Sequence, residues 1–315
     1  MSVREFIEGN YRHFNAGVLA QCADSLRGFL EGDGRLMVTL AGAMSTAEIG
    51  RTLAPAIRAQ RVHAICCTGA NLEEDLFSLV ARSHYESIAD WRELTAGDEV
   101  ALRERGMNRV TDVAIPEEEA IRMVEGPLMS LWEDAEAAGD RRFPHEYLYD
   151  LLLHGELEFD ADPKESWLMA AADANLPIFT RGWEDSSLGN ILAARVLDCS
   201  LKGADVVKGG LHAMQARADW YREDDSPTGL LQVGGGIAGD FAISVVPMLR
   251  QDAKVDVPLW AWFAQISESR PSYGGYSGAP PNEKISWEKL GVDTPRFVIE
   301  SDATIVLPLL LAALE

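Results

Sequence analysis

Residues that could act as catalysts gather near the C-terminus, in a segment rich in glycine and proline that covers 277–289. The segment ends in Trp287 and Lys289, two positions apart. A lysine amine that has lost its proton can act as a nucleophile. Because most lysines lie on protein surfaces, this pair alone is weak evidence for a site.

A second group is the glycine turn of Gly234, Gly236 and Gly239, which fits the spacing G-x-G-x-x-G. It follows an apolar run over 229–233 and precedes a helical pattern. That context is typical of a turn whose backbone amides hold a pyrophosphate at a helix N-terminus. The motif usually opens a dinucleotide-binding fold, whereas here it comes late in the chain. Two interpretations therefore stand together, dinucleotide binding and a merely tight turn.

Other catalytic schemes find little support in the sequence. The six histidines have no paired spacing typical of metal ligands, so no metal site is expected. The sequence contains neither a G-x-S-x-G elbow nor a G-x-x-x-x-G-K-[ST] loop. The four cysteines show no disulfide framework and the N-terminus has no signal-peptide pattern, so a cytoplasmic protein is expected. These cysteines are Cys22, Cys66, Cys67 and Cys199.

The chain of 315 residues carries a formal charge of −22, with 50 acidic against 28 basic residues. Nucleic-acid binding needs a basic surface, so it is not expected here. The acidity has two interpretations, solubility or attraction of cationic small molecules such as polyamines. No apolar stretch approaches the roughly 18 residues of a membrane span, so no membrane association is expected.

Apolar runs alternate with helical patterns along most of the chain. This alternation predicts an α/β fold with a mostly parallel sheet and right-handed crossovers. Residues 1–34 are expected to form an N-terminal helical segment, with a helix over 2–31, and 35–315 to form a single domain. The expected strands are 35–41, 62–67, 176–180, 229–233, 257–264 and 297–300.

Three local signals predict helix starts. Ser45 and Glu48 have the spacing of a capping box, which predicts a helix that begins at Ser45. Asp302 is the expected cap of a final helix over 303–314. Acidic residues favour a first helical turn, so 73–75 (Glu-Glu-Asp) are expected in the first turn of a helix.

Ligands of an open parallel sheet bind beyond the carboxyl ends of its strands. Four such ends carry small or polar residues, which marks that edge as the expected position of a site. They are 41–43, 68–75, 184–190 and 234–240.

The order of several segments resembles the deoxyhypusine synthases and their bacterial homologues. Residues 68–75 are similar to the family's T-A-G-G-V-E-E-D, and 177–189 to its P-V-F-x-P-A-x-x-D-G-S-L-G. Residues 234–236 match its triple glycine, and 277–289 match S-G-A-x-x-x-E-x-x-S-W-x-K. Residues 102–109 are similar to L-R-E-x-G-x-N-R, and 301–303 resemble the start of the A-D-A-S ending. The likeness covers roughly 35–315.

This resemblance implies a Rossmann-like, doubly wound domain with helices on both faces, a homotetramer, and NAD bound with the active site at subunit interfaces. It also implies a reaction. NAD takes a hydride from the carbon beside a polyamine nitrogen such as that of spermidine, and a lysine holds the aminobutyl group as an imine. An acceptor amine then takes the group, which the stored hydride reduces. By position, that lysine is Lys289.

The resemblance assigns further residues by position. Glu283 and Trp287 would hold the polyamine, and two positions that line the same pocket in the family are Asn190 and Tyr276 here. The residues that would contact NAD are Glu74, Asp185, Gly234, Gly235, Asp302 and Ala303.

The chain departs from the family's pattern on the amine side of the site. Asp240 stands where the family has a catalytic histidine, and Asn190 and Tyr276 replace acidic residues that contact the amine. Residues 41–43 (Ala-Gly-Ala) replace a Thr-Ser-Asn. Asp240 could serve as a base or anchor an ammonium, although the ordinary aspartate pKa of about 4 differs from that of histidine. Lys289 must be neutral to attack, and Glu288 opposes this unless it points away.

Three activities follow as hypotheses. The first is NAD-dependent transfer of an aminoalkyl group from a polyamine, with a protein lysine or a small amine as acceptor. The second is a non-catalytic NAD-binding homologue with a structural or regulatory role. A generic NAD dehydrogenase, which would not use Lys289 covalently, is the third.

Overall fold

A six-stranded parallel sheet forms the centre of the protein, as shown by a computed structural model that describes residues 1–271 and 274–314. A second, antiparallel sheet of three short strands lies within 86–116, where no strands were predicted. The strands are β1 (Arg35–Leu40), β2 (Ala64–Thr68), β3 (Glu86–Ser87), β4 (Met107–Val110), β5 (Val113–Pro116), β6 (Ile178–Arg181), β7 (Thr228–Val233), β8 (Trp262–Ile266) and β9 (Arg296–Ile299).

Helices connect the strands of the large sheet. They are α1 (Val3–Asn10), α2 (Phe14–Glu31), α3 (Gly50–Arg58), α4 (Gly69–Ala81), α5 (Ala96–Glu104), α6 (Met123–Ala138), α7 (Pro144–His154), α8 (Trp167–Asp173), α9 (Ser187–Leu197), α10 (Gly210–Arg222), α11 (Gly236–Ile243), α12 (Val245–Pro247), α13 (Glu283–Ser286) and α14 (Ala303–Ala312).

The spatial order of the large sheet is β6-β2-β1-β7-β8-β9. The chain starts in the middle, adds β2 and β6 on one side, and then adds β7, β8 and β9 on the other. The order therefore reverses between β1 and β7, where Val38 lies beside Leu231 in the parallel ladder. Such a reversal opens a crevice at the carboxyl ends of the strands, where ligands of this fold class bind.

Both faces of the sheet are covered. Successive strand residues point to opposite faces. Leu36 and Val38 of β1 are therefore part of one hydrophobic core, together with side chains of α2, α3, α4 and α14. Met37 belongs to a second core with side chains of α10 and α11. These two cores confirm the predicted α/β, Rossmann-like, doubly wound fold.

The N-terminal helix is divided. The pattern over 2–31 predicted one helix, but α1 ends at Asn10 and α2 begins at Phe14, whose backbone φ of 56° interrupts the helix. Leu26 of α2 lies in the same core as β1. A separate segment at 1–34 and a single domain over 35–315 remain a prediction.

The expected capping box at Ser45 is wrong. Met44–Ala47 form a single 3-10 turn, and Glu48 has a left-handed φ of 53° that ends it. Helix α3 begins only at Gly50. Ser45 is instead buried, where its backbone N–H donates to Asn71 Oδ1 at 3.0 Å and its hydroxyl donates to Asn71 O at 2.7 Å. A tertiary partner has therefore taken the place of the local cap.

Two other boundaries differ from expectation. Thr68 caps α4, which begins at Gly69, so 73–75 lie in its second turn rather than its first. The strand expected over 257–264 forms only from Trp262. Pro258 cannot donate to a ladder, and the Trp260 N–H donates at 3.1 Å to the carbonyl of Lys289. Asp302 caps α14 as predicted, accepting the Thr304 N–H at 2.8 Å.

Over the residues that the structure describes, no helix combines the length and the apolar character needed to cross a bilayer.

Candidate active site

The turns predicted to carry chemistry meet at one edge of the sheet, because all six strands run in the same direction. Thr68, the last residue of β2, donates its hydroxyl to the carbonyl of Gly42, after β1, at 2.7 Å. A Cβ at Gly234, after β7, would meet the Cβ of Ala41 at 2.9 Å. The end of β1 thus lies between the glycine turn and the start of α4.

The glycine turn receives a loop from farther along the chain. Gly234 and Gly236 have φ values of 75° and 64°, which favour glycine. The Gly236 N–H donates to Ser277 Oγ at 2.6 Å, and Gln265 Nε2 donates to the Ser277 carbonyl at 2.5 Å. A Cβ at Gly235 would overlap Ser277 Oγ. Close approach of this loop therefore requires glycine at 235, and the Gly236 amide already has a partner within the chain.

Lys289 lies inside this edge of the protein and not on its surface. It is 7% exposed, although lysine is among the residues least often buried. Its Nζ lies 4.7 Å from the ring centre of Tyr276 and 5.6 Å from that of Trp287. Burial lowers the pKa of Lys289, while the negative charges of Asp240 and Glu283 oppose that change. The surroundings therefore favour the neutral, nucleophilic amine more than water does.

The backbone holds Lys289 in place. Its carbonyl accepts the Trp260 N–H, and its own N–H donates to the carbonyl of Lys284 at 3.0 Å. Glu288 has a left-handed φ of 54°, and its carboxylate forms an ion pair with Arg250 Nε at 3.7 Å. That ion pair directs Glu288 toward Arg250, which meets the condition set by the sequence that Glu288 point away from the Lys289 amine.

Two polar atoms beside the lysine have no partner. In the described part of the chain, Asp240 Oδ1 and the Tyr276 hydroxyl are buried without a hydrogen bond. Burial raises the pKa of Asp240 to about 6, although the charges of Lys289 and then Lys284 lower it. Burial also raises the pKa of Tyr276, followed by the charges of Asp240 and Glu283. An acceptor and a donor are therefore available to a ligand.

Lys284 is a neighbour that sequence reasoning missed. It is 2% exposed, and its Nζ donates to the carbonyl of Ala279 at 3.1 Å. The same Nζ lies 5.0 Å from the ring centre of Tyr276 and 5.1 Å from that of Phe263. No periodic pattern could reveal it, because α13 is a single turn; its only sequence signal is its place within 277–289.

The remaining residues predicted to bind the substrate are more exposed. Trp287 is 59% exposed, and Glu283 lies at the exposed start of α13. Asn190 lies on α9, where its amide donates to the Ser186 carbonyl at 2.8 Å. It lines a cleft of about 550 Å³ together with Glu74. Within one chain, therefore, Tyr276, Asp240 and Lys289 come together, while Asn190 belongs to a separate cleft.

Among the residues predicted to bind the cofactor, Asp302 lines another cleft. A volume of about 960 Å³ is lined by Asp302, Ala43 and Thr46, among others. The hydroxyl of Thr46 donates to the buried carboxylate of Glu74, whose pKa burial raises. Ala303 is buried beneath Asp302 at the start of α14. Asp185 is exposed in the 3-10 turn after β6. Thr46 therefore contacts Glu74 and shares the lining of this cleft with Asp302.

The carboxylates beside Glu74 hold other helices. Glu73 accepts the N–H groups of Ser187 and Leu188, each at 2.8 Å, at the start of α9. Asp75 accepts the Ser166 hydroxyl and, at 3.0 Å, the Leu168 N–H at the start of α8. Burial raises the pKa of Glu73 to about 7 and that of Asp75 to about 6, and these hydrogen bonds lower both. The expected first-turn dipole role is therefore wrong for both residues.

Comparison with known proteins identifies the family of this chain. A family model described as "Deoxyhypusine synthase" matches residues 8–314. This chain belongs to the deoxyhypusine synthase family. It is 30% identical to a "Probable deoxyhypusine synthase 2" of Methanosarcina mazei, over 100% of this chain and 87% of that protein. It is also 30% identical to a "Deoxyhypusine synthase-like protein" of Nostoc, over 99% and 81% of the two chains.

A solved structure shares the fold. A protein from Entamoeba histolytica that carries the deoxyhypusine synthase name superposes with a TM-score of 0.60 at 13% identity, covering 99% of this chain and 92% of its own. The resemblance read from the motifs is therefore confirmed at the level of family and fold. Membership supports a transferase of the aminobutyl-transfer type.

The described part of this deoxyhypusine synthase family member has no cluster of side chains suited to bind a metal ion. Across 1–271 and 274–314, no three His, Cys, Asp or Glu side chains lie in a group that could hold an ion.

Proposed function

We propose that this protein is an NAD-dependent aminoalkyl transferase that holds the transferred group as an imine on Lys289. The observation that carries this proposal is the environment of the Lys289 amine. It is buried against the rings of Tyr276 and Trp287, and the charge of Asp240, whose Oδ1 is unpaired among the described residues, acts on it. Burial lowers its pKa, as a nucleophilic lysine requires.

The cofactor cleft suits a nucleotide. Its volume of about 960 Å³ falls in the range of small-molecule sites, and it lies at the carboxyl edge of the strands. Asp302 and Glu74 have carboxylates, and a carboxylate can accept hydrogen bonds from the hydroxyl groups of a ribose. Gly234 and Gly235, together with Asp185 and Ala303, complete the proposed set. NAD bound there would accept a hydride from the amine and return it.

The protein's own groups have separate tasks in this proposal. The neutral Nζ of Lys289 attacks the carbon of the substrate imine. The bond from that carbon to the donor's own nitrogen then breaks, the rest of the donor leaves as a free amine, and Lys289 holds the transferred group as the new imine. Oδ1 of Asp240, whose pKa burial raises to about 6, takes or returns a proton near neutral pH. Tyr276, Trp287 and Glu283 hold the alkyl ammonium by aromatic and charge contacts.

The donor is a polyamine or a related amine, and the acceptor is a protein lysine or a small amine. The family's acidic amine contacts are replaced by Asn190 and Tyr276, which weakens the case for spermidine as the donor. We also propose a cytoplasmic homotetramer. Trp287 at 59% and Ile237 at 48% exposed are large apolar side chains at this edge that a second subunit would cover.

A non-catalytic NAD-binding homologue is the second candidate. Two observations favour it: Asp240 replaces the family's histidine, and Ser277 already occupies the Gly236 amide. Such a protein would retain the cofactor cleft and have a structural or regulatory role.

One experiment separates these candidates. The protein is incubated with NAD and a panel of amines, NADH is followed by absorbance, and any imine is trapped with borohydride and mapped by mass spectrometry. Lys289→Met is compared with Lys202→Met, because the Lys202 side chain is 88% exposed.

An adduct on Lys289 that is absent from Lys289→Met and present in Lys202→Met supports the transferase. Binding of NAD with neither NADH nor an adduct for any amine supports the non-catalytic homologue. NADH production that survives Lys289→Ala without an adduct would identify a simple dehydrogenase.

A further inference from the structure

Two lysines share one aromatic ring in this site. The Nζ atoms of Lys289 and Lys284 lie 4.7 Å and 5.0 Å from the ring centre of Tyr276. Both side chains are buried, at 7% and 2% exposed. Like charges that approach each other in a poorly solvated region repel strongly, because water screens them little.

The two ammonium groups differ in how the protein stabilises their charged forms. Lys284 donates to the Ala279 carbonyl and lies near the rings of both Tyr276 and Phe263. For the Lys289 Nζ, the described residues provide the two rings but no hydrogen-bond acceptor. A hydrogen bond to a charged form favours that form, so the Ala279 carbonyl helps Lys284 to keep its proton against the burial that lowers its pKa.

We propose that Lys284 is a positioning residue that makes Lys289 lose its proton more readily, by holding a second positive charge beside the same Tyr276 ring. Its benefit to catalysis rests on the proposed function, in which neutral Lys289 is the nucleophile. The coupling between the two charges does not depend on that function.

Other charged groups face the pair and set the scale of this effect. Asp240 on α11 and Glu283 on α13 are negative and favour the charged form of Lys289. Burial lowers the pKa of both lysines, that of Lys284 to about 8, and the charge of Lys289 is the next cause of the change at Lys284. Coupling between two sites is reciprocal, so a charged Lys284 acts on Lys289 by the same amount.

The test measures the Lys289 amine directly. The protein is briefly acetylated with trace acetic anhydride between about pH 6 and about pH 11, and labelling of each lysine is read by peptide mass spectrometry. Lys284→Gln removes the charge and can still donate to Ala279. It should raise the midpoint of Lys289 labelling by about one pH unit, so that about tenfold less neutral amine is present near pH 7, where Lys284 of the wild type carries its charge.

The controls separate charge from packing. Lys284→Arg keeps the charge and should keep the wild-type midpoint, whereas a merely structural residue would show similar profiles in both variants. Lys202 serves as an internal reference that should not change. If Lys284→Gln fails to fold, Lys284→Met removes the same charge with a straight apolar chain.

An unchanged Lys289 midpoint in the folded neutral variant overturns the proposal, and would mean that Lys284 loses its proton first. Labelling requires neither NAD nor an amine substrate. A protein that never forms an adduct but shows the shifted midpoint would therefore refute the transferase and leave the coupling intact.

Discussion

Carboxylates with buried oxygen atoms occur in two regions of this protein, and their partners differ. On α4, Glu73 and Asp75 each accept hydrogen bonds from the start of another helix. On α11, Asp240 Oδ1 has no partner among the described residues, and the charge of Lys289 lowers the pKa of this carboxyl. A carboxylate whose bonds are made inside the fold stabilises it, whereas one left unpaired is available to a ligand.

Glu74 lies between these two cases. It accepts a hydrogen bond from Thr46, and Thr46 lines a cleft together with Asp302. Three successive acidic residues of one motif therefore have different roles. The helix turns each side chain toward a different neighbour, and the sequence shows only that they are adjacent.

The largest expected effect compares Asp75 with Asp240. Asp75→Ala leaves the Ser166 hydroxyl and the Leu168 N–H buried without an acceptor, so the free energy of unfolding should fall by about 4 kcal/mol. Asp240→Ala removes an unpaired carboxylate and should change stability by less than about 1 kcal/mol. Denaturant unfolding at one fixed protein concentration measures both. Equal losses would contradict the division of roles.

The contribution of the buried Glu73 carboxyl to stability should depend on pH. Burial raises its pKa from 4.5 to about 7, so the folded protein binds this proton more tightly than the unfolded chain. Its contribution to stability is therefore greatest below about pH 4.5, falls by roughly 3 kcal/mol as pH rises to about 7, and is constant above. Melting temperatures of wild type and Glu73→Gln near pH 5 and pH 8 (both approximate) measure it.

In Glu73→Gln, the difference in melting temperature between the two pH values should be smaller than in the wild type. Glu104→Gln changes an exposed carboxyl on α5 and should leave the wild-type difference intact. If Glu73→Gln retained the whole difference, Glu73 would not be the titrating group.

Two glycine substitutions test how tightly the loop that carries Tyr276 is held against the glycine turn. Gly235→Ala places a methyl group against Ser277 Oγ and should lower the free energy of unfolding by about 2 kcal/mol through overpacking. Gly236→Ala meets open space and strains only the backbone, at about 1 kcal/mol. The reverse order in denaturant unfolding would mean that the loop adapts without cost.

The smallest effect is expected at Trp287. Because it is 59% exposed, Trp287→Leu should leave the melting temperature almost unchanged. Loss of one aromatic wall should raise the KM for the amine about fivefold, since an exposed cation–π contact contributes up to about 1 kcal/mol. Steady-state kinetics with the amine identified by trapping would show this, and an unchanged KM would remove Trp287 from the substrate site.

The sequence by itself determined the family, the parallel α/β sheet, the Asp302 cap, and Lys289 and the glycine turn as candidates. These features depend on motifs and on the periodicity of nearby residues, which a single chain displays directly.

Only the tertiary structure decided which polar and charged groups are paired. Ser45 bonds to Asn71 instead of forming its capping box, Glu73 and Asp75 hold α9 and α8, and Ser277 docks on Gly236. The structure also placed Lys284 beside Lys289. Each of these contacts, except the one between the two lysines, joins residues more than twenty positions apart, so no local pattern encodes it. Burial then fixes its energetic consequence, because a charge removed from water must find its partner elsewhere in the fold.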